Sequence, residues 1–340
     1  MAAESGPLTP DELDGIYRRL VQPLLFDAAP AGQDRPTLVL LGGQPGAGKS
    51  RATARLLPEH PGMAALTGDD LRIFHPEYRR LVTERPEQAG TILAESTRTW
   101  VRAALKDAIE ERRSLLLEGT FGDPDLTLAT ASRFHEAGFE LRIAAIASPR
   151  VLSIVSAASR YLRGRKTGAP ARFTKLSAHD RGYDGTTRLI DRLGEATPAN
   201  RVTIVSRNGN VLFDRTRDDA PAPFVGAAAA LHQGRHPETW GARSTMELLG
   251  ELKQITAYAV TSGQLSRDLA DLLDASHEAA LADVVPKLSV AADSPQARFI
   301  QQAVTEQLVT LRRAAAVSDE HAVADFSPQP HLAQDGPGLI

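Results

Sequence analysis

The feature that most restricts this chain is a glycine-rich loop between a short apolar run and a helical segment. Thr37-Leu38-Val39-Leu40-Leu41 is continuously apolar, as in a strand buried on both faces of a parallel sheet. Gly43-Gln44-Pro45-Gly46-Ala47-Gly48-Lys49-Ser50 follows and fits G-x-x-x-x-G-K-[ST] at every fixed position, with helical pattern over Ser50–Leu57. The glycines let backbone N–H groups turn inward around phosphate oxygens. Lys49 then reaches the β- and γ-phosphates, and the Ser50 hydroxyl completes a Mg²⁺ shell. The helix points its positive end at the same anion. Residues 43–50 are therefore expected to bind ATP, with Ser50 as the metal ligand.

The surrounding pattern gives this loop its fold. Leu13, Ile16, Tyr17, Leu20, Val21 and Leu24 form a helical stripe behind Pro10-Asp11-Glu12, and a Pro/Gly/Ala linker spans Ala28–Pro36. Apolar runs predict strands at 114–117, 141–147, 202–206 and 211–213, the last two around an Asn208-Gly209 turn. Helical periodicity covers 88–112, 126–137 and 151–162. Strands alternating with helices imply an α/β fold: a mostly parallel sheet flanked by helices, of P-loop NTPase or kinase type. Beyond Pro221-Ala222-Pro223 the pattern changes, and from about residue 240 only helical periodicity remains. The expected division is an N-terminal helix and linker (1–35), a nucleotide-binding kinase domain (36–225), a helical extension (226–320) and a disordered polar tail (321–340).

Composition removes other classes. The 340 residues carry 39 basic and 42 acidic side chains, net −3, so no global field favours nucleic acid or an anionic membrane as a partner. Cysteine is absent, which excludes disulfides, thiolate metal sites and a thiol nucleophile. The first residues contain no apolar run of a secretory signal, and a cytoplasmic location is the expectation. Trp100 and Trp240 are expected to be packing anchors.

A second constellation suits phosphoryl transfer to an alcohol. Such a reaction needs a carboxylate that accepts the hydroxyl proton and aligns the oxygen with the γ-phosphate. Asp69 and Asp70, in Thr67-Gly68-Asp69-Asp70-Leu71-Arg72, and Glu118, in Glu118-Gly119-Thr120, are the candidates. Asp70 has an equal claim as the N-cap of a helix starting near Leu71. His75 is expected to order the loop after Asp69. From Leu141 to His179 there is no acid but eight basic residues, a source of guanidinium groups for the transferring charge. Arg163, Arg165 and Lys166 read as a solvated, lid-like loop around Gly164 and Gly168.

Taken together, residues 42–50, the Asp69-Asp70-Leu71-Arg72…His75-Pro76 segment, Glu118-Gly119-Thr120 and Arg207-Asn208-Gly209 resemble the zeta toxin family over about 35–215. That resemblance implies a P-loop kinase that phosphorylates UDP-N-acetylglucosamine, and a toxin held off by an antitoxin partner. It implies Asp69 as base, Glu118 and Thr120 as sugar-nucleotide contacts, and Arg160 and Arg172 as catalytic arginines beside Lys49. Asp70, Arg72 and His75 are grouped with the substrate contacts. The family commonly has an Arg two residues after the Thr of Glu-Gly-Thr, where this chain has Gly122. That departure keeps open a kinase with another acceptor (a different nucleotide sugar, NAD or an antibiotic). A non-catalytic, nucleotide-gated binding protein is the remaining alternative.

Overall fold

Six strands form one sheet in the order β2-β3-β1-β4-β5-β6 in the computed structural model, which describes residues 7–219 and 222–325. They are β1 (Thr37–Gly42), β2 (Ala64–Thr67), β3 (Leu115–Gly119), β4 (Glu140–Ala147), β5 (Arg201–Ser206) and β6 (Val211–Thr216). All neighbours are parallel except β5 and β6, which form the hairpin around Asn208-Gly209. Gly209 takes φ 84°, which suits glycine in such a turn. Every residue of β1 is buried, as its unbroken apolar run requires for a central strand covered on both faces. Register aligns Leu41 of β1 and Thr67 of β2 with Glu118 of β3. The C-terminal ends of three adjacent strands therefore lie level, which is where open α/β sheets bind ligands.

Several elements arise where the sequence pattern predicts none, among them helix Tyr78–Glu84, strand β2 and the long helix Leu176–Ala196. Strand β2 is only four residues long and half alanine, with Thr67 its one β-branched residue, so it carries little of the pattern that marks a strand. The long helix Leu176–Ala196 contains Gly182 and Gly185, which weaken a helical reading. Both are needed for packing: a Cβ at Gly185 would stand 2.3 Å from the Phe121 carbonyl, and one at Gly182 3.2 Å from Gln44 Cα. The segment expected to be a lid-like loop is also helical. Helix Arg150–Thr167 continues through Arg163, Arg165 and Lys166 and stops at Gly168, whose φ of 71° forms the C-terminal cap.

The core passes the boundary expected at 225. Phe224, Ala227, Ala230 and Leu231, mostly from helix Ala227–Arg235, join the main cluster that holds Leu141, Ile143, Val202 and Ile204 of the sheet. The later helices Ala242–Thr261, Arg267–Ala279 and Pro295–Asp325 make a second cluster. Leu248, Leu252, Leu269 and Leu272 pack there against Val151, Ile154, Val155 and Leu162 of helix Arg150–Thr167. Helix Pro295–Asp325 continues five residues into the expected tail, and 326–340 lie outside the described residues. Trp100 and Trp240 are buried anchors whose indole N–H groups donate to Leu13 O and Asp283 O, both at 2.9 Å. No helix among the described residues is long and apolar enough to cross a membrane.

Candidate active site

The ends of β1, β2 and β3 open into a cleft with a cavity volume of about 670 Å³. Gly46 and Gly48 shape its floor with φ of 78° and 106°, left-handed values that glycine adopts without strain. A Cβ at Gly46 would stand 2.1 Å from the Ser153 carbonyl, so the loop lies directly on helix Arg150–Thr167. Lys49 opens helix Lys49–Leu56, and its Nζ donates to Gly43 O at 2.8 Å and Gln44 O at 3.3 Å. Burial pushes Lys49 down to about 8, against the opposing pull of the Glu118 and Asp69 carboxylates. An ammonium so placed gains from an anion that restores its lost solvation. The cradle therefore fits a triphosphate.

Mg²⁺ fits on its donor set. Among the described residues no group of acids and histidines is arranged to hold a metal. Ser50, exposed and lining the cleft, offers one hydroxyl, and Mg²⁺ commonly completes its shell with substrate phosphates and water.

Asp69 follows β2 in the one-turn helix Gly68–Leu71. The cap of that helix is Thr67, whose Oγ1 accepts from the Asp69 N–H at 3.3 Å, so Asp70 is not the N-cap. The Asp69 carboxylate accepts from the Arg172 guanidinium and lies 3.6 Å from Arg72. Asp70 is exposed on the cleft wall. At the end of β3, Glu118 accepts from Thr53 Oγ1 at 3.2 Å; burial raises its carboxyl, while Lys49 and this hydrogen bond pull the other way. Thr120 is exposed at the same wall. Arg160, late in helix Arg150–Thr167, faces the cleft and is pushed down by burial and by Arg172.

Most of the expected residues thus meet around one cleft, and three side chains do not: His75, Gln44 and Ala47, whose methyl is buried in the apolar cluster with Val39 and Leu41. His75 lies away from it, its Nδ1 accepting the Glu77 N–H at 3.1 Å, which agrees with a loop-ordering role and not with substrate contact. The Gln44 side chain is completely buried and turns away from the cleft, donating to Ser148 O at 3.0 Å and Ser153 Oγ at 3.1 Å. Its backbone still builds the loop.

One bracing residue had only a motif to mark it. Arg207 donates to the Gly46 carbonyl and, at 2.6 Å, to Ser156 Oγ, tying the β5–β6 turn to the phosphate loop. Gly122 lies under the stem of Arg181, whose Cγ would be 3.3 Å from an added Cβ.

The chain is 28% identical over 193 residues to Toxin PezT of Streptococcus pneumoniae, covering 56% of this chain and 76% of that toxin. It is 23% identical over 192 residues to Toxin zeta of Enterococcus hirae, covering 56% and 67%. A solved structure from the PezAT chromosomal toxin–antitoxin system of S. pneumoniae has the same fold, with a TM-score of 0.60 at 23% identity over 74% of this chain and 98% of that one. Residues 24–218, more than half of the sequence, match the family described as Zeta toxin. The chain belongs to the Zeta toxin family.

Proposed function

We propose that this protein is an ATP- and Mg²⁺-dependent kinase that phosphorylates a sugar hydroxyl of UDP-N-acetylglucosamine, as the toxin of a toxin–antitoxin pair. One observation carries the reading: a phosphate cradle, three carboxylates (Asp69, Asp70 and Glu118) and four arginines (Arg51, Arg72, Arg160 and Arg172) converge on a single cleft. ATP with Mg²⁺ supplies the phosphoryl group and part of the charge compensation. Lys49 and the loop N–H groups hold the triphosphate, with Ser50 on the metal. Asp69 accepts the proton of the acceptor hydroxyl. Arg160 and Arg172 stabilise the charge that spreads over the equatorial oxygens during transfer. Glu118, Thr120, Asp70 and Arg72 line the side of the cleft where the sugar nucleotide sits.

The toxin relatives support the role in a toxin–antitoxin pair, and the PezAT match supports an antitoxin partner. A second reading, the same transfer to another small acceptor, is favoured by Gly122, which supplies no side chain beside Thr120. Incubation with γ-labelled ATP and a panel of nucleotide sugars, NAD and aminoglycosides distinguishes them. Label on UDP-N-acetylglucosamine is expected; label elsewhere supports the second reading, and no label removes the kinase assignment.

A further inference from the structure

Arg235 is 3% exposed, yet no carboxylate lies within ion-pair distance of it among the described residues. Burying a guanidinium without an acid is costly unless its donors are used; here both terminal nitrogens find acceptors, while Nε is buried without one. Arg235 NH1 donates to Tyr183 O at 3.0 Å and Thr187 Oγ1 at 2.7 Å, and its charge lies 4.0 Å from the centre of the Tyr183 ring. NH2 donates to Gln44 Oε1 at 3.3 Å. That last contact reaches 191 positions back, into the phosphate loop.

The chemistry of the partners fixes how Gln44 is oriented. Ser148 O can only accept and Arg235 can only donate, so the amide must point its NH₂ to the serines and its oxygen to Arg235. Gln44 also donates to Ser153 Oγ, which lies 2.9 Å from His179 Nε2; His179 Nδ1 lies 3.0 Å from Asp180. Asp180 takes a two-pronged bond from Arg150 at 2.9 and 2.8 Å. Gln44, Ser148, Ser153 and His179 are all completely buried. One chain of hydrogen bonds thus runs from Arg150 to Arg235 through the second residue of the loop. It fastens that loop to the helix that carries Arg160.

We propose that Arg235 is a positioning residue for the phosphate loop: acting through Gln44, it holds the loop in its nucleotide-binding form. Helix Ala227–Arg235, which lies beyond the family-matched segment, is then part of the nucleotide site. This rests on the ATP-binding reading given above.

The test measures affinity for ATP by equilibrium binding and the KM of the acceptor by turnover, on the full chain. Arg235→Met and Gln44→Met each remove the link from one side. Arg235→Met is expected to weaken ATP binding about tenfold, the worth of one charge-assisted hydrogen bond, and Gln44→Met by at least as much because it also gives up the bonds to Ser148 and Ser153, with acceptor KM unchanged in both. The double variant should cost less than the sum of the two single ones, because they share the Arg235–Gln44 contact. Thr187→Val removes another Arg235 contact without touching Gln44, and should bind ATP within about twofold of the parent protein. Arg235→Lys, which keeps the charge but not the fork, should recover part of the loss. If Arg235→Met does not fold, Gln44→Met and Arg235→Lys decide the matter. Nucleotide affinity equal to the parent's in folded Gln44→Met overturns the proposal. Failure of the parent protein to bind ATP removes the kinase reading as well.

Discussion

Arg172 donates to the Asp69 carboxylate across the cleft mouth, joining the segment before helix Leu176–Ala196 to the end of β2. The residue proposed to stabilise the transferring charge therefore also orients the proposed base. Arg72, 3.6 Å from the same carboxylate, is the nearest other cation. Arg172→Ala should lower kcat by about a hundredfold or more, the range seen when a preorganised donor to transition-state charge is removed. Arg172→Lys should recover little, because a point charge cannot serve the base and the phosphoryl oxygens together. Steady-state kinetics on both variants checks this. A Lys variant with parental kcat would show that the guanidinium shape is irrelevant.

Lys49 ties function to a cost in stability. Its ordinary value is 10.5 and burial lowers it to about 8, so below pH 8 the folded protein holds a charge that the unfolded chain carries more cheaply. Between about pH 8 and 10.5 the unfolded chain binds the extra proton, and stability rises with pH across that window. Lys49→Met should therefore melt higher than the parent at pH 7. The gain should shrink as pH rises from 8 towards 10.5. The same variant should lose turnover. Paired melting curves from pH 6 to 10.5 test the sign; a Lys49→Met protein that melts lower at pH 7 would contradict it.

The C-terminal helices cover an apolar face of helix Arg150–Thr167, where Val151, Ile154, Val155 and Leu162 are buried in the second cluster. Lys175 pairs with Asp268 at 2.8 Å and Arg163 with Glu251 at 2.7 Å. These contacts flank the helix and segment that bring Arg160 and Arg172 to the cleft. A chain ending at residue 235 should expose that face and aggregate, binding hydrophobic dyes strongly. Size-exclusion chromatography decides: a soluble, monomeric truncation with full activity would show that the extension is dispensable.

The phosphate loop was legible because its motif is local, and strand, loop and helix agree on it. Glu118 was legible because it ends an apolar run, and Asp69 because its neighbours repeat a family motif. Less local features left weaker traces. Strand β2 is short and alanine-rich, and helix Leu176–Ala196 uses Gly182 and Gly185 for backbone contacts that only the assembled structure explains. The cap at Thr67 in place of Asp70 depends on a helix starting three residues earlier than the sequence suggests. Arg235 carries no local signal at all. It is one arginine in an alanine-rich helix, and its contact with Gln44 spans more than half of the chain.

The central claim is that Asp69 takes the proton from an acceptor hydroxyl, and the contrast with Asp70 tests it most directly. Asp69→Asn keeps size and hydrogen-bonding shape but cannot accept the proton. Its kcat should fall by about a hundred- to ten-thousand-fold, with ATP affinity little changed. Asp70, exposed and not the cap of its helix, should tolerate Asn with a small effect on both kcat and melting temperature. The measurement is kcat for labelled phosphoryl transfer to UDP-N-acetylglucosamine by the parent and both variants. A dead Asp69→Asn beside a working Asp70→Asn is the predicted result; a working Asp69→Asn beside a dead Asp70→Asn would contradict the account and make Asp70 the base.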